Sequence, residues 1–252
     1  MTRIAHLSDT HFDGGPARAK RLRRVLDAVH DLADIDAIVV TGDIADHGEV
    51  AEYQQFSELM ETELPTLVVP GNHDRRQDMA HFMTPARQER FDSVQTVGDV
   101  TIIGLDSLIE GEDAGYLNAV TVEFANEATA ASPGPVVLAL HHPPVAIGHS
   151  VMDGLGLRNA DDLRDLIEAN DSVIGMFTGH VHCAVATTFA GRPMLGAPGI
   201  VSTMHLVEQP DQIADDSALP GLAVHTIDPS QRITTRFHTL SPEEDPAHKV
   251  GL

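Results

Sequence analysis

The chain has no tryptophan and only one cysteine, Cys183, which rules out an intramolecular disulfide. Basic residues are scarce too: 16 Lys and Arg stand against 38 Asp and Glu, a formal charge of -22. Such a surface repels polyanions, whereas nucleic-acid binding relies on basic patches that release counterions. A nuclease or other partner of nucleic-acid polymers is not expected, and the acidic surplus reads as a solvated surface. Long apolar runs are also missing. None approaches the ~18 residues of a membrane span, and residues 1–6 hold no signal-peptide core. A soluble, cytoplasmic protein without a membrane partner is expected, as a homodimer if general frequency is the guide.

What the chain does have is 252 residues, 42% of them hydrophobic. That suits one large α/β domain, here 1–240, followed by a loosely held tail, 241–252. Residues 4–7, 37–40 and 67–69 read as apolar strands. Between them, 17–32 sets Leu22, Val25, Leu26, Val29 and Leu32 at helical spacing, and 50–60 is a second helical stretch. Strand, helix, strand, helix, strand is the pattern of βαβ units in a parallel sheet. Further on, 100–105, 136–140 and 173–177 read as strands, and 117–129 and 160–169 as helices. The pairs 185–189 with 194–195, and 221–227 with 233–240, read as hairpins. Two sheets packed face to face with helices outside are predicted, and 208–220 is read as an exposed loop.

Five short segments each follow a strand signal. They are Asp9-Thr10-His11, Gly42-Asp43, Gly71-Asn72-His73-Asp74, His141-His142-Pro143-Pro144 and Gly179-His180-Val181-His182. Open α/β sheets place their crevice at the carboxyl ends of the strands, so these side chains would meet in one cleft. Imidazole with carboxylate suits Zn, Mn, Fe or Co. The i, i+2 spacing of Asp9 with His11 and of His180 with His182 puts each pair on one side if the backbone is extended. Each motif alone is common. All five in this order are not coincidence.

The set resembles the signature of the calcineurin-like metallophosphoesterase superfamily, and HHPP with GHVH is similar to its class III phosphodiesterase branch. The resemblance spans Asp9 to His182. It implies a four-layer α/β/β/α sandwich with two mixed sheets and a pair of divalent ions (Fe, Mn or Zn). Asp9, His11 and His182 would hold the first ion, Asp43 would bridge, and Asn72, His141 and His180 would complete the second. His141 is preferred to His142 because the family's ligand stands two before the proline; His142 is then a packing or supporting residue. Two dications against two carboxylates and a hydroxide leave one positive charge, which suits a monoanionic diester.

His73 is the implied general acid beside the phosphate, with Asp74 either orienting it or bonding to backbone. His205 is a candidate substrate contact. Cys183 reads as a core residue, His47 and His149 as surface residues, and Arg192 as a hairpin residue. No arginine follows Gly42-Asp43 as it does in protein phosphatases, and the chain is too short for the second domain of the large nucleotidases. The expected reaction is hydrolysis of small phosphodiesters, first of all 3′,5′-cyclic nucleotides such as cyclic AMP. Glycerophosphodiester or broad-specificity phosphodiesterase and phosphatase activity is the alternative, and a non-catalytic metal-binding scaffold the second. With 4% aromatic residues, a platform for stacking a purine is not obvious, although Tyr53, Tyr116 and Phe82 could serve.

Overall fold

The computed structural model describes residues 1–83, 89–209 and 212–242. Its first half runs β1 (Thr2–Leu7), α1 (Pro16–Asp31), β2 (Ala37–Thr41), α2 (Val50–Leu59), β3 (Thr66–Val69) and the single turn α3 (Arg76–Met79). Next come β4 (Ser93–Val97), β5 (Val100–Leu105), α4 (Ala119–Ala131), β6 (Val136–Leu140), α5 (Ala160–Ala169) and β7 (Val173–Thr178). Three hairpins follow: β8 (Val185–Phe189) with β9 (Arg192–Gly196), β10 (Thr203–Gln209) with β11 (Gln212–Asp215), and β12 (Gly221–Ile227) with β13 (Ile233–Thr239).

One sheet has the order β13-β12-β1-β2-β3 and the other β4-β5-β6-β7-β9-β8. Within them β1, β2 and β3 are parallel, as are β5, β6, β7 and β9, while the edge pairings are antiparallel. The central strands β1, β2, β5, β6 and β7 bury both faces, which is why they read as apolar runs with no alternation. Ala37 and Val39 on β2, with Val137 and Ala139 on β6, fill the layer between the sheets. Their neighbours turn outward. Ile38 and Val40 meet Leu22, Val25 and Val29 of α1, and Leu138 and Leu140 meet Leu163 and Ile167 of α5. The result is the expected α/β/β/α sandwich.

Local chemistry sets the helix starts. Pro16 occupies the first turn of α1, where its missing N–H costs nothing. The Asn118 side chain accepts from Thr121 N at 3.0 Å to cap α4. No helix among the described residues is long and apolar enough to cross a membrane.

One expectation is corrected. Much of the segment read as a loop, 208–220, belongs to the two-stranded ribbon β10–β11, outside both sheets. The ribbon is half-buried at Met204, His205 and Ala214 and exposes Val207 and Ile213, so it shows no regular buried alternation for a sequence to reveal. Of the expected tail, residues 243–252 lie outside the described residues.

Candidate metal centre

The parallel strands of both sheets end on the same side, and the five motifs begin within three residues of the ends of β1, β2, β3, β6 and β7. The chain turns there by an unusual route. Asp9, His11, Asp43, His180 and His182 all have left-handed backbones, with φ of 56°, 44°, 49°, 71° and 50°. Residues with a Cβ seldom adopt this region, and strain of about 1–3 kcal/mol each persists only where surrounding structure enforces it. The Asp-x-His and His-x-His pairs therefore converge through alternating left-handed residues and not through the pleat of an extended strand.

The acceptor atoms meet around Asp43. Its Oδ2 lies 3.4 Å from His11 Nε2 and 3.3 Å from His141 Nε2, and its Oδ1 accepts from His73 N at 2.9 Å. His11 Nε2 and His182 Nε2 are 3.2 Å apart, with Asp9 Oδ1 3.5 Å from His182 Nε2. Asn72 Oδ1 is 3.1 Å from His141 Nε2. The outer nitrogens are engaged elsewhere: His141 Nδ1 with Thr41 O at 2.6 Å, His182 Nδ1 with Ser202 Oγ at 2.7 Å, His11 Nδ1 with Asp46 Oδ1 at 3.0 Å. Partners of this kind orient an imidazole so that its Nε2 is left for a metal.

Electrostatics favour a cation at this point. Burial alone would lower the pKa of His11, but Asp43 and Asp46 override it and raise it to about 10. For His141, burial is likewise overridden by Asp43, which lifts it to about 9. Buried carboxylates that hold protons on two imidazoles form a centre short of positive charge. Burial and the charge on His141 push His180 down to about 3, which keeps it a neutral donor. Asp9 Oδ2 and His180 Nε2 are buried without a hydrogen-bond partner, the condition of atoms that a metal would satisfy. Asp9, His11, Asp43 and His182 offer donor atoms within 4.8 Å of one another, as do His141, His142 and His180. The residues fit a metal.

Of the two places the sequence left open to Asp74, the structure shows the bonds to backbone. Its carboxylate accepts from Gly71 N at 2.8 Å, Ala45 N at 3.1 Å and Ile44 N at 3.3 Å, tying the loop after β2 to the loop after β3. Burial, then the charge on Asp43, raise its pKa to about 6. Asp74→Asn turns an amide N–H toward these donors. The expected loss is about 2 kcal/mol, read as a lower urea midpoint with unchanged slope; a midpoint like that of the parent would show the ties to be dispensable.

His73 stands half exposed at the cleft, its Nδ1 2.8 Å from Asp46 O and its ring edge-on to His11. His142 is buried with Nδ1 2.8 Å from Ser107 Oγ, its ring beside those of His141 and His180. Met204 lines the cleft, while His205, on the alternate face of β10, neighbours Asp215. Asp46 is the functional residue that sequence reasoning missed. It holds His11 and is itself held by Arg18 at 2.8 Å, and its only signal was a carboxylate three residues after Asp43.

Above the histidines lies a cleft of about 270 Å³. His11, Asp43, Asn72, His73, His180 and His182 form its floor, and Met152, Leu155, Met204 and Ile213 form an apolar wall. Asp113 stands at the rim. Tyr53 is not available for stacking, since it is fully buried with its hydroxyl on Arg75 N. Tyr116 and Phe82 do not line the cleft either.

Residues 2–184 match the calcineurin-like phosphoesterase family. The chain belongs to that family. It is a metal-dependent phosphoesterase. A probable cyclic nucleotide phosphodiesterase of Rhodococcus erythropolis is 31% identical over 95% of this chain and 83% of its own length. The glycerophosphodiester phosphodiesterase GpdQ of Enterobacter lignolyticus is 26% identical over 88% of this chain and 86% of its own. A dimetal phosphatase from Danio rerio shares the phosphoesterase fold, with a TM-score of 0.61 and 12% identity over 89% of this chain and 92% of its own.

Proposed function

We propose that this phosphoesterase is a two-metal phosphodiesterase acting on 3′,5′-cyclic nucleotides. The observation that carries the two-metal reading is the position of Asp43 Oδ2, between His11 Nε2 at 3.4 Å and His141 Nε2 at 3.3 Å. One carboxylate oxygen facing two nitrogen donor sets is the arrangement of a bridging ligand. Asp9, His11 and His182 would hold one ion with Asp43, and Asn72, His141 and His180 the other. Fe, Mn or Zn suits this mixture of imidazole and carboxylate. When bound, such ions activate water as a nucleophile and withdraw charge from phosphate oxygens.

The chain's own residues supply the rest. Only Asp9 and Asp43 among the seven ligands carry negative charge, so the loaded floor stays positive and takes an anionic diester. His73, free to face the cleft through Nε2, protonates the leaving oxygen. The wall of Met152, Leu155, Met204 and Ile213 gives a nucleoside an apolar surface to rest on, and polarizable methionine suits a flat ring. Glycerophosphodiester hydrolysis is the second reading, favoured by the lack of any Phe, Tyr or Trp lining the cleft among the described residues.

Cyclic AMP, glycerophosphoethanolamine and bis(p-nitrophenyl) phosphate compared with Mn²⁺ distinguish the readings. Preference for cyclic AMP in kcat/KM supports the first. Cleavage of glycerophosphoethanolamine without cyclic AMP replaces it with the second, and no cleavage of any diester overturns both.

A further inference from the structure

Two histidines that the site does not use lie between the sheets. His6 on β1 and His225 on β12 are wholly buried against Phe177, with no carboxylate beside them. Burial lowers the pKa of His6 to about 3 and that of His225 well below its usual range, so both rings are neutral near pH 7. A neutral imidazole carries one N–H, so its neighbours dictate which nitrogen bears it.

The contacts form a continuous line. Thr235 Oγ1 is 2.8 Å from His225 Nδ1, His225 Nε2 is 3.1 Å from His6 Nδ1, and His6 Nε2 is 2.8 Å from Thr41 Oγ1. Thr41 Oγ1 is 2.8 Å from Ser8 Oγ, which is 3.2 Å from Thr41 O. That carbonyl can only accept, so Ser8 donates to it. Thr41 then donates to Ser8, and its Oγ1 must accept from His6 Nε2–H. His6 Nδ1 in turn accepts from His225 Nε2–H, and His225 Nδ1 from the Thr235 hydroxyl. The reverse order would set Ser8 Oγ and Thr41 O face to face as two acceptors. One direction satisfies every group, and bonds aligned in this way polarise one another.

The line ends on the carbonyl that also accepts from His141 Nδ1 at 2.6 Å. Ser8 adjoins Asp9, and Thr41 stands two residues before Asp43. We propose that His6 and His225 are positioning residues, and that this one-way hydrogen-bond line from Thr235 to Thr41 fixes the backbone that presents Asp9, Asp43 and His141 to the metals. The proposal rests on the metal reading above for its purpose, though not for its geometry.

The test has two arms. In the metal-stripped protein, ¹⁵N-edited NMR of the imidazoles is expected to find both His6 and His225 protonated at Nε2, with slowly exchanging protons. A proton on Nδ1 of either ring overturns the line whatever the enzyme does. In the second arm, Thr41→Val removes the hydroxyl and keeps the shape, while Thr41→Ser keeps the hydroxyl. Calorimetric titration with Mn²⁺ is expected to show affinity about tenfold weaker in the valine variant and restored in the serine variant. Parental affinity in Thr41→Val, or equal loss in both variants, overturns the positioning role. The melting temperature of each metal-free variant separates this from general damage to the fold.

Discussion

Asp43→Asn is expected to lower the turnover of bis(p-nitrophenyl) phosphate by roughly a thousandfold or more, the largest effect of any single change in the centre. Asp43 is 2% exposed, and its two oxygens have separate tasks. Oδ1 accepts from His73 N, and an amide oxygen can continue to do so. Oδ2 faces His11 and His141, and in the variant an NH₂ replaces it there. That group cannot coordinate, and the change removes one of two negative charges among the seven residues proposed as ligands. A metal contributes several kcal/mol to a phosphoryl transition state, and each 1.36 kcal/mol is about tenfold in rate. Elemental analysis should find less metal in the variant beside the lost rate. A variant within tenfold of the parent would remove Asp43 from the centre.

The second large effect is expected at His73, in a different pattern. His73→Ala keeps the backbone N–H that donates to Asp43, so metal content should stay as in the parent. What it removes is the imidazole set by its Nδ1 contact with Asp46 O, and positioned proton transfer contributes about 10²–10⁴-fold. The loss should depend on the leaving group. Expelling p-nitrophenolate needs little help from a proton, whereas a ribose alkoxide needs much, so cyclic AMP should suffer more than bis(p-nitrophenyl) phosphate. Equal losses on both would assign His73 to phosphate binding, and no loss on either would remove it from the mechanism.

The places of Asp43 and His73 after strand ends were legible from residues alone, because apolar runs followed by Asp, Asn or His mark strand ends whatever the details of packing; their proposed roles came from the resemblance. The layers were legible for the same reason: β2 and β6 bury both faces, so their sequences are uniformly apolar. Other features left little trace. β4 is an edge strand with Val94 and Thr96 exposed, and it has no such run. The left-handed conformation of Asp9 and His182 is imposed by neighbouring loops through contacts such as Asp9 N to Gly42 O, which no local pattern encodes. The choice of Met204 over His205 depends on the register of an exposed strand, a slip of one residue that hydrophobicity does not mark.

The ribbon β10–β11 also stands apart from the strand ends along the chain. The match to the family ends at residue 184, just past His182, and the ribbon begins at Thr203. Each of the seven residues proposed as ligands lies within that match, while Met204 and Ile213, half of the apolar wall, lie beyond it. Replacing Met204 or Ile213 would reshape the wall of the cleft without touching any of the five strand ends.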